Sequence, residues 1–184
     1  MDVFEAIHAR QSLGNVKTDA VPRAEIERLL EAAVQAPNHY KVRPWRFVVV
    51  GGEARNRLGE AMAQGLRRRS PQVTEELLEK ERAKPLRAPV IIAVGADRPS
   101  EPKILEIENI CAAAAACENL LLAAVGDGLA GYWRTGDAAR DPEVKALLGL
   151  DEQELIAFLY LGYPEAAAAK RERPGFDDRT TWID

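Results

Sequence analysis

The stretch Ile104–Gly136, ILEIENICAAAAACENLLLAAVGDGLAGYWRTG, limits what this chain can fold into. Its first part holds no proline or glycine in the interior, and alanine is the strongest helix former, so it reads as one long helix. The run Ala112 to Ala116 leaves no bulky face on that part of the helix. Small residues let other elements approach the backbone, which predicts a central position. A helix that is apolar all round is either a core helix or a membrane span. A span needs about 20 apolar residues in a row. Glu106, Glu108 and Glu118 interrupt this run, so the reading is a core helix and a chain without a membrane segment. Gly126 and Gly128 stop the helix, and a short strand follows that ends in Tyr132-Trp133-Arg134-Thr135-Gly136. An aromatic ring, a permanent cation and a hydroxyl delivered at a strand end read as a binding edge.

The same stretch contains a decoy. Gly126-Asp127-Gly128-Leu129-Ala130-Gly131 matches G-x-G-x-x-G. A dinucleotide loop follows a strand and opens a helix, because the pyrophosphate rests on that helix's N-terminus. Here the helix comes first and the strand second. The expectation is a glycine C-cap followed by close backbone packing, not a phosphate loop.

With 184 residues the chain is expected to form one domain, residues 1–184. Its 47% hydrophobic and 29% charged content is that of a globular protein. A net charge of −4 argues against a general nucleic-acid binder. Cys111 and Cys117 are six apart on one helix and cannot bridge each other, so both read as buried small residues in a reducing compartment. The N-terminus has an acid at position 2 and no apolar run, which is unlike a signal peptide. The expected location is the cytoplasm.

Along the chain, Asp2 caps a first helix with Val3, Phe4 and Ile7 on one face. Pro22 opens a second, with Ile26, Leu29, Leu30, Ala33 and Val34 as its buried stripe. A polar loop, Asn38 to Pro44, leads into a strand at Trp45–Val50, whose continuous apolar run predicts a central strand. A helix over Glu53–Arg68 follows, and Ser70-Pro71 reads as the start of the next. Further strands are expected at Val90–Val94, Leu129–Arg134 and Leu155–Leu161, with a short helix between Asp141 and Gly149. Strands and helices do not alternate regularly, which predicts an α+β fold: a three-layer α-β-α sandwich with a mixed central sheet. The segment 165–184 has no clear pattern. With Phe176 and Trp182 in it, it is expected to lie across another surface.

Few side chains are suited to chemistry of their own. His8 reads as a surface helix histidine. No Ser-His-Asp arrangement, G-x-S-x-G or zinc-spaced cluster occurs. The protein therefore either binds without chemistry or lets a cofactor carry it. Three segments suit an anionic, flat cofactor. Arg10 and Ser12 offer a fork and a hydroxyl to a phosphate. His39, Lys41 and Arg43 decorate one loop, and Trp133, Arg134 and Thr135 end a strand.

Together these blocks resemble the flavin-dependent nitroreductase family, in its small NAD(P)H nitroreductase branch. The matching residues are Arg10-Gln11-Ser12, Ala36-Pro37-Asn38-His39, Arg43-Pro44-Trp45-Arg46-Phe47, Arg87-Ala88-Pro89, Gly131 to Gly136 and Phe158 to Gly162. The resemblance covers residues 1 to about 164. It implies a homodimer with FMN at the subunit interface, each site drawing on both chains. It assigns Arg10, Gln11 and Ser12 to the phosphate and polar ring edge, with Trp133, Arg134 and Thr135 holding the cofactor from another side. Gln35 and His39 contribute too, His39 from the partner. Ala123, Ala124, Val125, Gly126, Asp127 and Gly128 are where NADH or NADPH is implied to meet the chain. Two departures stand out. Gln11 replaces a second arginine, and Gly14-Asn15 stand where a cation is usual, with Lys17 or Arg43 as substitutes. Lys170, Arg171 and Arg173 are candidates for the family's C-terminal basic cluster, and the tail is expected to pack on the partner.

The resemblance implies an FMN-dependent NAD(P)H oxidoreductase that passes hydride in a ping-pong cycle to a small nitroaromatic or quinone-type acceptor. No nucleic acid or metal is expected. The alternatives are a flavoprotein with another redox role and a non-enzymatic dimeric binding protein. The first would be yellow yet barely oxidise NAD(P)H, and the second colourless.

Overall fold

The structure is a computed structural model that describes residues 1–167, 169 and 171–183. The long alanine-rich helix is α5, Glu106–Gly126. It packs with α2, Arg23–Ala33, on one face of a four-stranded sheet made of β1 (Trp45–Gly51), β2 (Val90–Ala96), β3 (Ala130–Arg134) and β4 (Glu154–Gly162). The other face carries α3 (Ala54–Arg69), α6 (Asp137–Arg140) and α7 (Pro142–Leu148). α4, Glu75–Arg82, packs on α3, and α1, Val3–Ala9, packs on α5. This is the expected α+β three-layer sandwich.

The two-residue period of a strand divides the core. Ile92, Val94, Leu159 and Leu161 point to α2 and α5, while Ile91, Ala93, Phe158 and Tyr160 point to α3 and α7. β2 is buried along its whole length, so each of its aliphatic side chains contributes about 1.5–3 kcal/mol of burial. On α5 the residues turned inward are Ala113, Ala116, Cys117, Leu120, Leu121 and Ala124, all buried. α5 is long and apolar enough to cross a membrane by length and composition alone, yet this inner face is spent on the sheet.

Several expectations need correction. The sheet is not mixed: its order is β1-β2-β4-β3 and every neighbouring pair is antiparallel. β2 and β3, joined through the single helix α5, do run the same way, but β4 inserts between them. The parallel element is one bridge, Ser12 to Gly131. β1 is an edge strand, not a central one. Its apolar run arises because both faces are partly covered by helices, which hydrophobicity cannot separate from a central position. Ser70-Pro71 does not open a helix; Thr74 caps α4 through its side chain instead. Val3, Phe4 and Ile7 share one face of α1, but that face is exposed. Val34 is also exposed, and so is Cys111, while Cys117 is buried as expected.

The turn after α5 is a helix C-cap. Gly128 has φ +77°, its N–H donates to Val125 O (3.1 Å), and the Leu129 N–H reaches back to Ala124 O (2.8 Å). That pair of bonds is the Schellman arrangement. The three glycines of the G-x-G-x-x-G string therefore carry different constraints. Alanine at Gly126, which has nothing within 4 Å of a Cβ, should stabilise by up to about 1 kcal/mol. At Gly128 the left-handed backbone should cost about 1–2 kcal/mol. At Gly131 a Cβ would stand 2.5 Å from Leu121 Cδ2, and overpacking there should cost about 1–3 kcal/mol. Denaturant midpoints of the three single variants check this ranking. A phosphate loop would instead show ligand binding lost in all three with little change in stability.

Candidate functional site: the open edge of β3

The first site segment leaves α1 abruptly. Asp2 and Glu5 form a capping box at its start, and Arg10 at its end turns extended (φ −59°, ψ 123°). The chain then runs beside β3, where Ser12 bridges Gly131 and the Leu13 N–H donates to Gly131 O at 3.3 Å. The Arg10 guanidinium lies over α5, with Nε 3.0 Å from Glu118 Oε1. The Gln11 amide donates to the Ala169 carbonyl (2.8 Å), and Arg173 donates to the Arg10 carbonyl. Between α1 and the tail is a cavity of about 780 Å³, with His8, Gln11, Arg171, Arg173 and Phe176 on its walls. Of the three basic candidates in the tail, Arg171 and Arg173 thus stand beside Arg10 to Ser12, and Lys170 lies outside the described residues.

The second segment is the end of β3. One side of this strand pairs with β4, and the other meets only Ser12 and Leu13. Gly131 turns its carbonyl to that outer side. Strand alternation therefore directs the Trp133 N–H and carbonyl outward as well, past the point where the N-terminal segment covers the edge. The Trp133 ring packs toward α2 and α5, and its indole N–H donates to Ile156 O at 3.3 Å. Thr135 is exposed just beyond.

Arg134 points to the opposite face. Its guanidinium carbon lies 4.0 Å from the Tyr132 ring centroid and 5.5 Å from that of Tyr160. Beneath it is a cavity of about 580 Å³, within the usual range for small-molecule sites, whose walls include Arg69, Lys84, Tyr132, Phe158 and Tyr160. Arg69 is tied to Asp141 at 2.8 Å and Lys84 to Glu81 at 2.5 Å. Arg134 makes no ion pair with any described residue. Tyr160 is 6% exposed, and burial pushes its pKa up to about 12 although Arg134 and Arg87 pull it down. Its hydroxyl is a neutral donor at physiological pH.

The segments are only partly brought together. Arg10 to Ser12 and the outer edge of β3 are neighbours. Arg10 and Arg134 are not: one guanidinium lies over α5 and the other on the sheet's far face, so Arg134 does not join Arg10 around one phosphate within a chain. Gln35, exposed after α2, donates to Glu31 O at 3.3 Å. His39 Nδ1 is 2.8 Å from Glu108 Oε1, and its ring stacks on Tyr40. Glu108 and Glu118 are ten positions apart on α5, or about 15 Å along the helix. His39 therefore sits at the N-terminal end of α5 and Arg10 past its middle, and the two do not meet within a chain. The loop that carries His39 is strained: Tyr40, Lys41 and Arg43 all have positive φ (50°, 58° and 50°), at about 1–2 kcal/mol each. The Asn38 side chain steadies it by accepting the Arg43 N–H at 2.9 Å.

Ala123 to Gly128 form the last turn and cap of α5. The Asp127, Gly128 and Leu129 amides all donate back to helix carbonyls, and the Asp127 carboxylate is paired with Arg28 at 2.9 Å. This helix end carries negative partial charge. These amides are therefore not free to cradle a phosphate, and Gly126 to Gly128 present only an exposed surface. Tyr132 and Tyr160 stand in the sequence only inside the longer blocks Tyr132–Gly136 and Phe158–Gly162, and none of Tyr132, Tyr160, Arg69 and Lys84 carries an individual site role there. The signal for the first two was present: Tyr132 and Arg134 are two apart on one strand and share a face, and Tyr132 pairs across with Tyr160.

A planar polar ring with an anionic tail is the ligand class these parts suit: aromatic walls and unpaired donors for the ring, an arginine and a hydroxyl for the tail. The fold and the edge of β3 together define an α+β oxidoreductase of the nitroreductase type. The family model "Nitroreductase family" matches residues 7–163, and the chain belongs to that family. It is 32% identical to "Putative NAD(P)H nitroreductase YdjA" of Escherichia coli (strain K12) over 170 residues, 92% of each chain. Its fold matches the nitroreductase-like family protein of Bacillus cereus with a TM-score of 0.86 and 25% identity, covering 100% of this chain and 97% of the other. It also matches a nitroreductase with bound FMN from Bacteroides fragilis NCTC 9343, with a TM-score of 0.77 and 24% identity over 100% of both chains.

Proposed function

We propose that the protein is a cytoplasmic FMN-dependent NAD(P)H oxidoreductase that works as a homodimer. In this reading NADH or NADPH gives hydride to the flavin and leaves, and a nitroaromatic or quinone-type acceptor then enters the same place. The observation that carries it is the junction of Arg10–Ser12 with the outer edge of β3. It sets a phosphate ligand set beside the outward backbone groups of β3 and the cavity of about 780 Å³ between α1 and the tail. The names of the relatives support the same cofactor and co-substrate.

Arg10, Ser12 and the tail arginines would hold the phosphate. Gln11 and the backbone of Trp133 to Thr135 would hold the ring edge. The protein needs no acid or base of its own, because hydride transfer depends on stacking and distance.

The dimer reading rests on α5. Ile107, Cys111, Ala114, Glu118, Leu122 and Val125 follow one another at helical spacing on its outer side, and none is fully buried. With exposed Val3, Phe4 and Ile7 on α1 they form an apolar surface. A second copy laid antiparallel along α5 would bring its His39 and Gln35 toward the first copy's Arg10. The tail 165–184, with exposed Phe176 and Trp182, would extend the contact. Obligate dimers bury more than about 2,000 Å².

Two outcomes are expected. Arg10→Ala should weaken FMN about 30-fold or more, because a desolvated anion loses its charged partner. Riboflavin, which has no phosphate, should bind the wild type and the variant equally. A flavin-fluorescence titration of both proteins with both ligands decides, and equal weakening of riboflavin would remove the phosphate role. Thiol labelling of the native protein tests the dimer. Cys117 should stay silent, since burial pushes its pKa up to about 12. Cys111, exposed on the single chain, should be masked by the partner and label only on dilution to monomers. Free labelling of Cys111 at micromolar concentration would place the interface elsewhere.

A further inference from the structure

We propose that a cavity at the start of α5, apart from the site proposed for flavin, binds a small zwitterion: a free α-amino acid with an aliphatic side chain.

The cavity, of about 430 Å³, lies where the end of β2 meets the starts of β1, β4 and α5. None of its lining residues belongs to the cavity under Arg134 or to the one between α1 and the tail. Its α5 residue is Asn109, on the sheet-facing side of the helix with Ala113 and Ala116. It is not on the outer stripe offered to a second copy.

Asn109 is the sign of a ligand. It is 3% exposed, and its Oδ1 is the one buried side-chain nitrogen or oxygen without a hydrogen-bond partner among the described residues. The amide nitrogen donates to the Asp97 carbonyl at 2.9 Å. That bond fixes which way the amide faces, since the flipped form would set oxygen against oxygen. A buried acceptor left unsatisfied is costly and calls for a donor. Two donors on the cavity wall are already committed elsewhere. Gln153 Nε2 donates to Asp97 Oδ1 at 3.0 Å, and Arg46 Nη2 is 2.6 Å from Asp97 Oδ2.

The charges on the wall define the rest of the ligand. Arg46 and Asp97 neutralise each other. Arg98 and Glu152 are both exposed, and neither forms an ion pair with a described residue. Exposed charges alone would simply be hydrated, but here they flank a buried oxygen that lacks a donor. An ammonium group can donate to Asn109 Oδ1 and face Glu152, while a carboxylate takes the Arg98 fork. An anion alone would leave Asn109 and Glu152 unanswered, and a cation alone would leave Arg98. The remaining wall is apolar: Val42, Pro44 and Ile104 line it, the last two buried. The Asp97 N–H holds this wall together by donating to Pro44 O at 2.7 Å. An aliphatic side chain is the part of the ligand that suits it.

Titration calorimetry of the purified protein with L-leucine tests the proposal. Two analogues serve as probes: isocaproate, which lacks the ammonium group, and L-leucinamide, which lacks the carboxylate. L-Leucine should bind with a Kd of about 1 mM or tighter, and each analogue about tenfold more weakly. Asn109→Leu removes the acceptor and should weaken leucine about tenfold or more. Arg98→Ala changes an exposed side chain that holds no other element, so it reads the site even if the Asn109 variant fails to fold. It should also weaken leucine about tenfold. The absorbance of bound flavin should stay unchanged throughout. No heat from leucine at about ten times that concentration would overturn the proposal. So would isocaproate binding as well as leucine, or undiminished leucine binding by Arg98→Ala. Leucine that displaces bound FMN would also overturn it, by placing the amino acid in the flavin site.

Discussion

The packing of α5 against the sheet is the contact from which the site hangs. Its inner face is built of alanines with Cys117, Leu120 and Leu121, and all are buried. Small side chains allow the sheet and α2 to close on the helix, and Gly131 is the matching concession on β3, where even a methyl would meet Leu121. β3 is thereby fixed, and its outer edge is where the N-terminal segment attaches. The outer face of the same helix holds Arg10 through Glu118 and His39 through Glu108. One element thus sets the spacing of groups that come from distant parts of the chain.

The two faces of the sheet divide the work. The α2 and α5 side presents a half-exposed apolar stripe and the Arg10 guanidinium paired with Glu118. The α3 side contains the cavity under Arg134. Asp141 anchors that second side: only 4% exposed, it accepts from Arg68 at 2.9 Å and Arg69 at 2.8 Å and caps α7 through the Glu143 and Val144 amides. Gly65 gives it room, since a Cβ there would stand 2.3 Å from Asp141 Oδ2. The carboxylate therefore ties Arg69, on the cavity wall, to the start of α7.

Local chemistry was legible in the sequence. Asp2, Pro22, Asp141 and Gly149 mark helix ends because capping depends on a few neighbouring atoms, and each does so here. The inverted context of the G-x-G-x-x-G string was legible for the same reason. What a face packs against was not. Periodicity showed that Val3, Phe4 and Ile7 share a side but could not say that no element of the same chain covers it. The apolar run of β1 could not reveal an edge strand, and no local signal told that β4 would insert between β2 and β3. At the site, the residue types at Arg10–Ser12 and Trp133–Thr135 were readable. The divergence of Arg10 and Arg134 to opposite faces was not, because it follows from strand alternation combined with the path of a loop.

The central claim is that one FMN site is assembled from Arg10 of one copy and His39 of another. Mixed dimers test it most directly. Arg10→Ala chains and Gln35→Ala/His39→Ala chains are each purified, then mixed, denatured and refolded together. The account predicts that each homodimer binds FMN weakly, while the mixed dimer regains one site of wild-type affinity and one that is doubly impaired. A mixture that binds no better than its parents would contradict it and return the whole site to a single chain.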